Sequence, residues 1–100
     1  MKPYDHHVFV CTCPTCSKKG AESVLLAFRD KTEKRGLLNK VKVTRTGCLS
    51  SGECKHGPLV VVYPRGVWYR FVTVSDVEEI VERHLVGGQI VSRLLHFKLS

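Results

Sequence analysis

The chain has 100 residues, 43% hydrophobic and 25% charged, the proportions of a soluble globular protein with room for one hydrophobic core. No apolar run approaches the roughly 20 residues of a bilayer span, and the N-terminus MKPYDHH lacks the basic-then-apolar layout of a secretion signal, so membrane insertion is not expected and a cytoplasmic location is. The formal charge of +7, from 16 basic and 9 acidic side chains, favours a partner with an acidic surface. Nucleic acid is not expected, because the basic residues are spread along the chain and the one local aromatic group, Trp68, Tyr69 and Phe71, sits in a strand-like run.

In chain order, His7–Cys11 (HVFVC) reads as a short buried strand. Ala21, Val24, Leu25, Phe28 and Thr32 then recur at spacings of three and four, while Lys18, Lys19, Arg29, Lys31 and Lys34 take the remaining surface. This predicts an amphipathic helix of about 18 residues, stopped at Gly36. Lys40–Thr46 alternates strictly, as a half-buried strand does. Strand, helix and strand together form a βαβ unit and so a parallel strand pair. Leu59–Tyr63 and Val67–Val72 flank Pro64-Arg65-Gly66, which predicts an antiparallel hairpin. Ser75-Asp76-Val77-Glu78 reads as a capping box with Ser75 at the N-cap, opening a second helix on Val77, Ile80, Val81 and Leu85 that stops near Gly87-Gly88. Ile90, Val91, Leu94 and Leu95 form a short apolar segment that should pack on another surface, a neighbouring subunit being one candidate, and the tail HFKLS carries no signal. The order β-α-β-β-β-α describes an α/β, thioredoxin-like single domain over residues 1–100, with its core at about 7–95.

Five cysteines dominate the chemistry. Three fall in CTCPTC, residues 11–16, directly after the first strand; Cys48 and Cys54 fall in TGCLSSGECKHGP. In reducing cytosol, clustered thiols more often bind metal or do redox chemistry than form structural disulfides. Three readings are open. Cys13-Pro14-Thr15-Cys16 is a C-x-x-C between strand and helix, where a helix N-terminus and Lys18 and Lys19 would stabilise a thiolate, as in a glutaredoxin-like thiol–disulfide oxidoreductase. Gly57-Pro58 before a strand resembles the cis-proline that faces such a dithiol. Zinc would use the C-x₂-C with the Cys48/Cys54 pair, whose five-residue gap is long for a structural site. An iron–sulfur cluster would use four of the five.

HVFVC, CSKKGA, VKVTRTGCL, CKHGP, VVVYPRGVWY and VEEIVERHLVGG, taken together over residues 7–95, resemble the thioredoxin-like 2Fe–2S ferredoxins, a family that includes the small thioredoxin-fold subunit of respiratory NADH dehydrogenase. The resemblance implies a 2Fe–2S cluster held by two cysteines from each of two loops: Cys11 and Cys16 from the first, Cys48 and Cys54 from the second. It implies an electron carrier rather than an enzyme, redox protein partners, and a homodimer formed through the sheet side. The first pair's C-x₄-C spacing is like that of the respiratory subunit. The second pair departs from the family's usual C-x₃-C, as if two residues were inserted among Ser50-Ser51-Gly52, and Cys13 is an extra thiol. Cys13 is thus an alternate for Cys11 or Cys16, and His56 for Cys54.

The other titratable residues have plainer expectations. His6 and His7 read as solvated, His56 as exposed or supporting a ligand, and His84 as a charge near a helix C-terminus. Asp76, Glu78, Glu79 and Glu82 read as a solvated helix face, and no phosphate-binding loop or serine-nucleophile motif is present.

Overall fold

In a computed structural model, which describes residues 3–49 and 52–100, strand β1 (His6–Cys11) lies inside a five-stranded sheet. Its neighbours are β2 (Val41–Thr46), parallel, with Val8 opposite Val43, and β3 (Val60–Tyr63), antiparallel, with Val10 opposite Val60. β3 pairs with β4 (Val67–Tyr69) through the expected hairpin, and β4 pairs with β5 (Leu95–Lys98), giving the order β2-β1-β3-β4-β5. Because strand side chains alternate between faces, Val8, Val10, Val60, Val62, Val67 and Tyr69 point to one side. There they bury against Val24, Leu25 and Phe28 of a helix and Val77, Ile80 and Val81 of another. The opposite face carries Phe9, Val61 and Trp68, which pack with Cys11, Cys13, Cys16, Cys54, Ala21 and Leu59 as a separate, smaller cluster.

Four elements differ from the sequence expectation. The first helix is broken into α1 (Pro14–Lys18) and α2 (Ala21–Lys34). The N–H groups of Lys19 and Gly20 turn back onto the Cys16 and Ser17 carbonyls at 3.0 and 3.1 Å, and Gly20, at φ +96°, takes a left-handed conformation open to glycine. β4 stops at Tyr69 rather than running to Val72, because the next three N–H groups leave the hairpin: Arg70 donates to Leu94, Phe71 to His56 and Val72 to Pro58. The cap of helix α3 (Val74–Glu79) is Thr73, not Ser75; the Asp76 carboxylate accepts from the Thr73 N–H and hydroxyl, both at 2.9 Å. The helix begins two residues earlier than expected, so Asp76 takes the N3 place expected of Glu78, which stays exposed. α3 continues as a π-helical turn over Ile80–Val86.

The fourth difference is at the C-terminus, where the tail HFKLS supplies most of a fifth strand. Val91 and Leu94 are buried in the chain's own main core. This apolar segment therefore packs on the chain's own core rather than on a neighbouring subunit, anchored by Arg70 N–H to Leu94 O (3.0 Å) and by β4–β5 pairing. Phe97 on β5 stacks on Trp68, with ring centroids 4.9 Å apart.

Candidate metal centre

Both cysteine bends lie at the same end of the sheet, and the strand order dictates it. β1 is parallel to β2, so the segments leaving Cys11 and Thr46 emerge side by side; Thr12 N–H and hydroxyl both donate to the Thr46 carbonyl, at 2.9 and 2.8 Å. β3 is antiparallel to β1, so the chain enters it from that same end, and Cys11 N–H donates to the Leu59 carbonyl at 3.1 Å. Cys48, Cys54 and Gly57-Pro58 precede β3 and are thereby brought against Cys11–Cys16. The Gly57–Pro58 peptide is cis. Ser50 and Ser51, where the sequence suggests an insertion, lie outside the described residues.

Sulfur atoms converge on Cys54. Its Sγ is 3.1 Å from that of Cys13, 3.6 Å from Cys48 and 3.9 Å from Cys11. Cys11, Cys13, Cys16 and Cys54 all have Sγ within 4.8 Å of one another. All four are buried, whereas Cys48 is exposed at the rim and meets the group through Cys54. Of the four residues expected as ligands, the structure gathers Cys11, Cys16 and Cys54 in one knot and sets Cys48 at its edge. Cys13, expected as the spare, is inside the knot, because as the N-terminal flank of α1 it faces the Cys54 turn.

Electrostatics divide these thiols. The Cys16 backbone N–H, and then the Cys54 thiol, hold Cys13 down to about 6. Burial pushes the Cys16 thiol up to about 11, partly opposed by the Leu59 N–H, and the neighbouring Cys13 thiol and burial raise Cys54 as well. Four or five thiols this close cannot all ionise beside one another without a cation, since like charges disfavour the charged form. Soft sulfur donors at this density suit iron or zinc. The residues present therefore fit a thiolate-ligated metal group.

The close approach has a backbone requirement. A Cβ on Gly57 would stand 2.7 Å from Cys16 Sγ and 3.0 Å from the Cys54 carbonyl oxygen. Lys19 Nζ bridges the two bends on the outside, donating to the Lys55 carbonyl at 2.7 Å.

His6, His7 and His84 depart from expectation. His7 is half-buried and bonds Thr44 through Nε2 at 2.8 Å, and His6 is half-buried edge-on to His84; strand β1 begins early enough to carry both into the sheet. His84 is not a charge at a helix end. It is buried, its Nδ1 meets the Tyr69 hydroxyl at 2.7 Å, and burial, reinforced by His6 and Arg65, lowers it to about 4, so it is neutral. The hydroxyl donates to that neutral ring and accepts the Val91 N–H at 3.0 Å. The acidic helix face is paired rather than merely solvated: buried Asp76 meets exposed Arg93, which also reaches Glu79, and Glu82 holds Arg35 and Lys31. His56 does not enter the sulfur knot; it joins Glu53 and His96 instead.

No protein-family model matches the chain. Among curated proteins, it is 45% identical over 97 residues to a 2Fe–2S ferredoxin of Clostridium pasteurianum, covering 89% of this chain and 93% of that one. It is 43% identical over 99 residues to a 2Fe–2S ferredoxin of Aquifex aeolicus, covering 89% and 86%. Among solved structures, the 1.5 Å crystal structure of the wild-type thioredoxin-like [2Fe–2S] ferredoxin from Aquifex aeolicus superposes with a TM-score of 0.87 at 42% identity, over 96% of this chain and all of that one. A second structure of a thioredoxin-like [2Fe–2S] ferredoxin from the same organism gives 0.89 at 41% identity, over 98% and 96%.

Proposed function

Because the chain belongs to the thioredoxin-like 2Fe–2S ferredoxins, we propose that its two cysteine bends hold one 2Fe–2S cluster and that it carries single electrons between redox proteins. The observation that carries this reading is the meeting of both bends at one sulfur, with Cys54 Sγ 3.1–3.9 Å from thiols of each. When bound, the cluster takes up and returns one electron; the chain's part is to hold it, set its potential and leave it near the surface. The chain is an electron carrier, not an enzyme.

The ligands in this reading are Cys11, Cys16, Cys48 and Cys54, two from each bend. Cys11 is fixed at the end of β1 and Cys16 within α1, both fully buried, while Cys48 and Cys54 lie on the segment between β2 and β3. Cys13 stands beside them as a fifth thiol and His56 is not a ligand. The Leu59 N–H aimed at Cys16 and the Cys16 N–H aimed at Cys13 supply dipoles that favour added negative charge in the bend. Anaerobically purified protein should contain about two iron and two acid-labile sulfide per chain. Cys13→Ser should keep that stoichiometry, and Cys11→Ser, Cys16→Ser, Cys48→Ser or Cys54→Ser should change the visible and EPR spectra or lose the cluster. Colourless protein that reduces disulfides through Cys13 and Cys16 would establish the dithiol reading instead, and stoichiometric zinc without iron would establish a zinc module.

The same reading places the protein in the cytoplasm, as one domain with its core at about 7–95. Exposed Lys18, Lys19 and Lys55 surround the bends and suit a partner with an acidic surface; that association should weaken as salt rises from about 0.01 M to 0.15 M, over which the screening length falls from about 30 to 8 Å. A homodimer through the sheet is supported by the face opposite the main core, where Tyr63 (40% exposed) and Phe97 (37%) stand beside Phe9 and Trp68. Sedimentation equilibrium of the Phe97→Lys variant against the parent tests it: the parent should be a dimer and the variant a monomer.

A further inference from the structure

Among the described residues outside the cysteine knot, Glu53, His56 and His96 form a group of metal-ligating side chains whose donor atoms lie within 4.8 Å of one another. We propose that these three form a second metal site, for a zinc-like divalent ion, which fastens the Cys54 turn to edge strand β5. Two of the donors come from one short element. Glu53–His56 is a single 3₁₀ turn, and at three residues per turn positions i and i+3 project to the same side. The third arrives from 40 residues away, because β5 pairs with β4 and sets His96 against that turn.

The geometry is that of one hydrogen-bonded pair, His96 and Glu53, with His56 converging on the same oxygen. His96 Nε2 lies 2.7 Å from Glu53 Oε2. His56 Nε2 faces the same oxygen at 4.0 Å, beyond hydrogen-bond reach. Zinc–nitrogen and zinc–oxygen bonds of about 2.0–2.1 Å at tetrahedral angles put donor atoms about 3.3 Å apart, between those two values. Aromatic neighbours limit both rings: Phe71 meets His56 edge-on at 5.6 Å, Phe97 lies 5.0 Å from His96, and the two imidazoles are 4.9 Å apart. Two imidazoles and one carboxylate leave a fourth tetrahedral position, and all three residues are partly exposed, so water reaches it. The donor set has no sulfur, which separates its ligand chemistry from that of the knot one residue away.

Cluster-loaded protein in chelator-free anaerobic buffer, titrated with Zn²⁺ and followed by calorimetry and zinc X-ray absorption, tests the site. One zinc per chain should bind, with a nitrogen/oxygen shell that includes two imidazoles and no sulfur, while iron content is unchanged. His96→Gln and His56→Gln should each weaken binding at least tenfold, and His7→Gln, at the far end of β1, should not. Absence of saturable zinc binding, sulfur in the zinc shell of the unmodified protein, or an undiminished affinity in either His56→Gln or His96→Gln would overturn the proposal.

Discussion

A methyl group at Gly57 would collide with both bends at once, 2.7 Å from Cys16 Sγ and 3.0 Å from the Cys54 carbonyl. The Cys54 oxygen is backbone and Cys16 Sγ ends a short side chain that is fully buried, so one of the bends has to shift. Gly57→Ala should cost about 1–3 kcal/mol, the range for overpacking a filled site, and should speed iron loss; denaturant titration and iron retention after gel filtration check the two effects. His84 gives a second residue-scale expectation. Its folded pKa of about 4 lies below the ordinary 6.5, so the unfolded chain binds more protons between those values and stability falls as pH drops through that window. Above about pH 6.5 the contribution is fully present. His6, held low by the same burial, adds in the same direction, and Arg65 reinforces the neutral state of His84. Denaturation curves at pH 7, 5.5 and 4.5 should show the parent losing more stability than His84→Gln. The burial of His84 could not be read in advance: a buried, hydrogen-bonded histidine and an exposed one have the same letter, and the burial comes from strands remote in sequence.

At the scale of elements, period and turn chemistry carried most of the assignment. HVFVC, KVKVT and the two runs around Pro64-Arg65-Gly66 became β1, β2, β3 and β4 because short runs of alternating or β-branched apolar residues bounded by turn chemistry suit a pleated, half-buried strand. The ends were less legible, since an N-cap is decided by which carboxylate reaches which N–H and neighbouring Thr73 and Ser75 offer the same chemistry. Thr73→Ala should therefore destabilise by about 1 kcal/mol, while Ser75→Ala should stay within about 0.5 kcal/mol; thermal unfolding of both variants distinguishes the two registers. The helix break at Gly20 has the same origin. A continuous apolar stripe through residues 21–32 says nothing about whether α1 and α2 are collinear, and Gly20 permits the left-handed turn without requiring it.

At the scale of the whole molecule, two apolar clusters do different work. The main core, from Val8 to Leu94, contains none of the cysteines, whereas the smaller one is built around four of them. Removing iron should therefore leave the sheet folded, with far-UV circular dichroism little changed. The melting temperature should fall, because a group that binds only the native state stabilises it. Amide exchange should rise in residues 12–16 and 52–57 and stay slow in β1 and β3; wholesale unfolding on iron removal would contradict this division. The fifth strand completes the arrangement, covering Trp68 with Phe97 and bringing His96 to the Cys54 turn.

The sequence by itself determined the thiol-rich chemistry, the family resemblance, four strands and the parallel βαβ start. These follow from local periodicity and from residue types that cannot be exchanged without losing the chemistry. Only the tertiary structure decided which thiols meet, that HFKLS is a strand, and that Ile90–Leu95 folds onto its own sheet. Those outcomes depend on pairings between segments tens of residues apart, and contact energies of that kind are set by register and packing rather than by any local pattern.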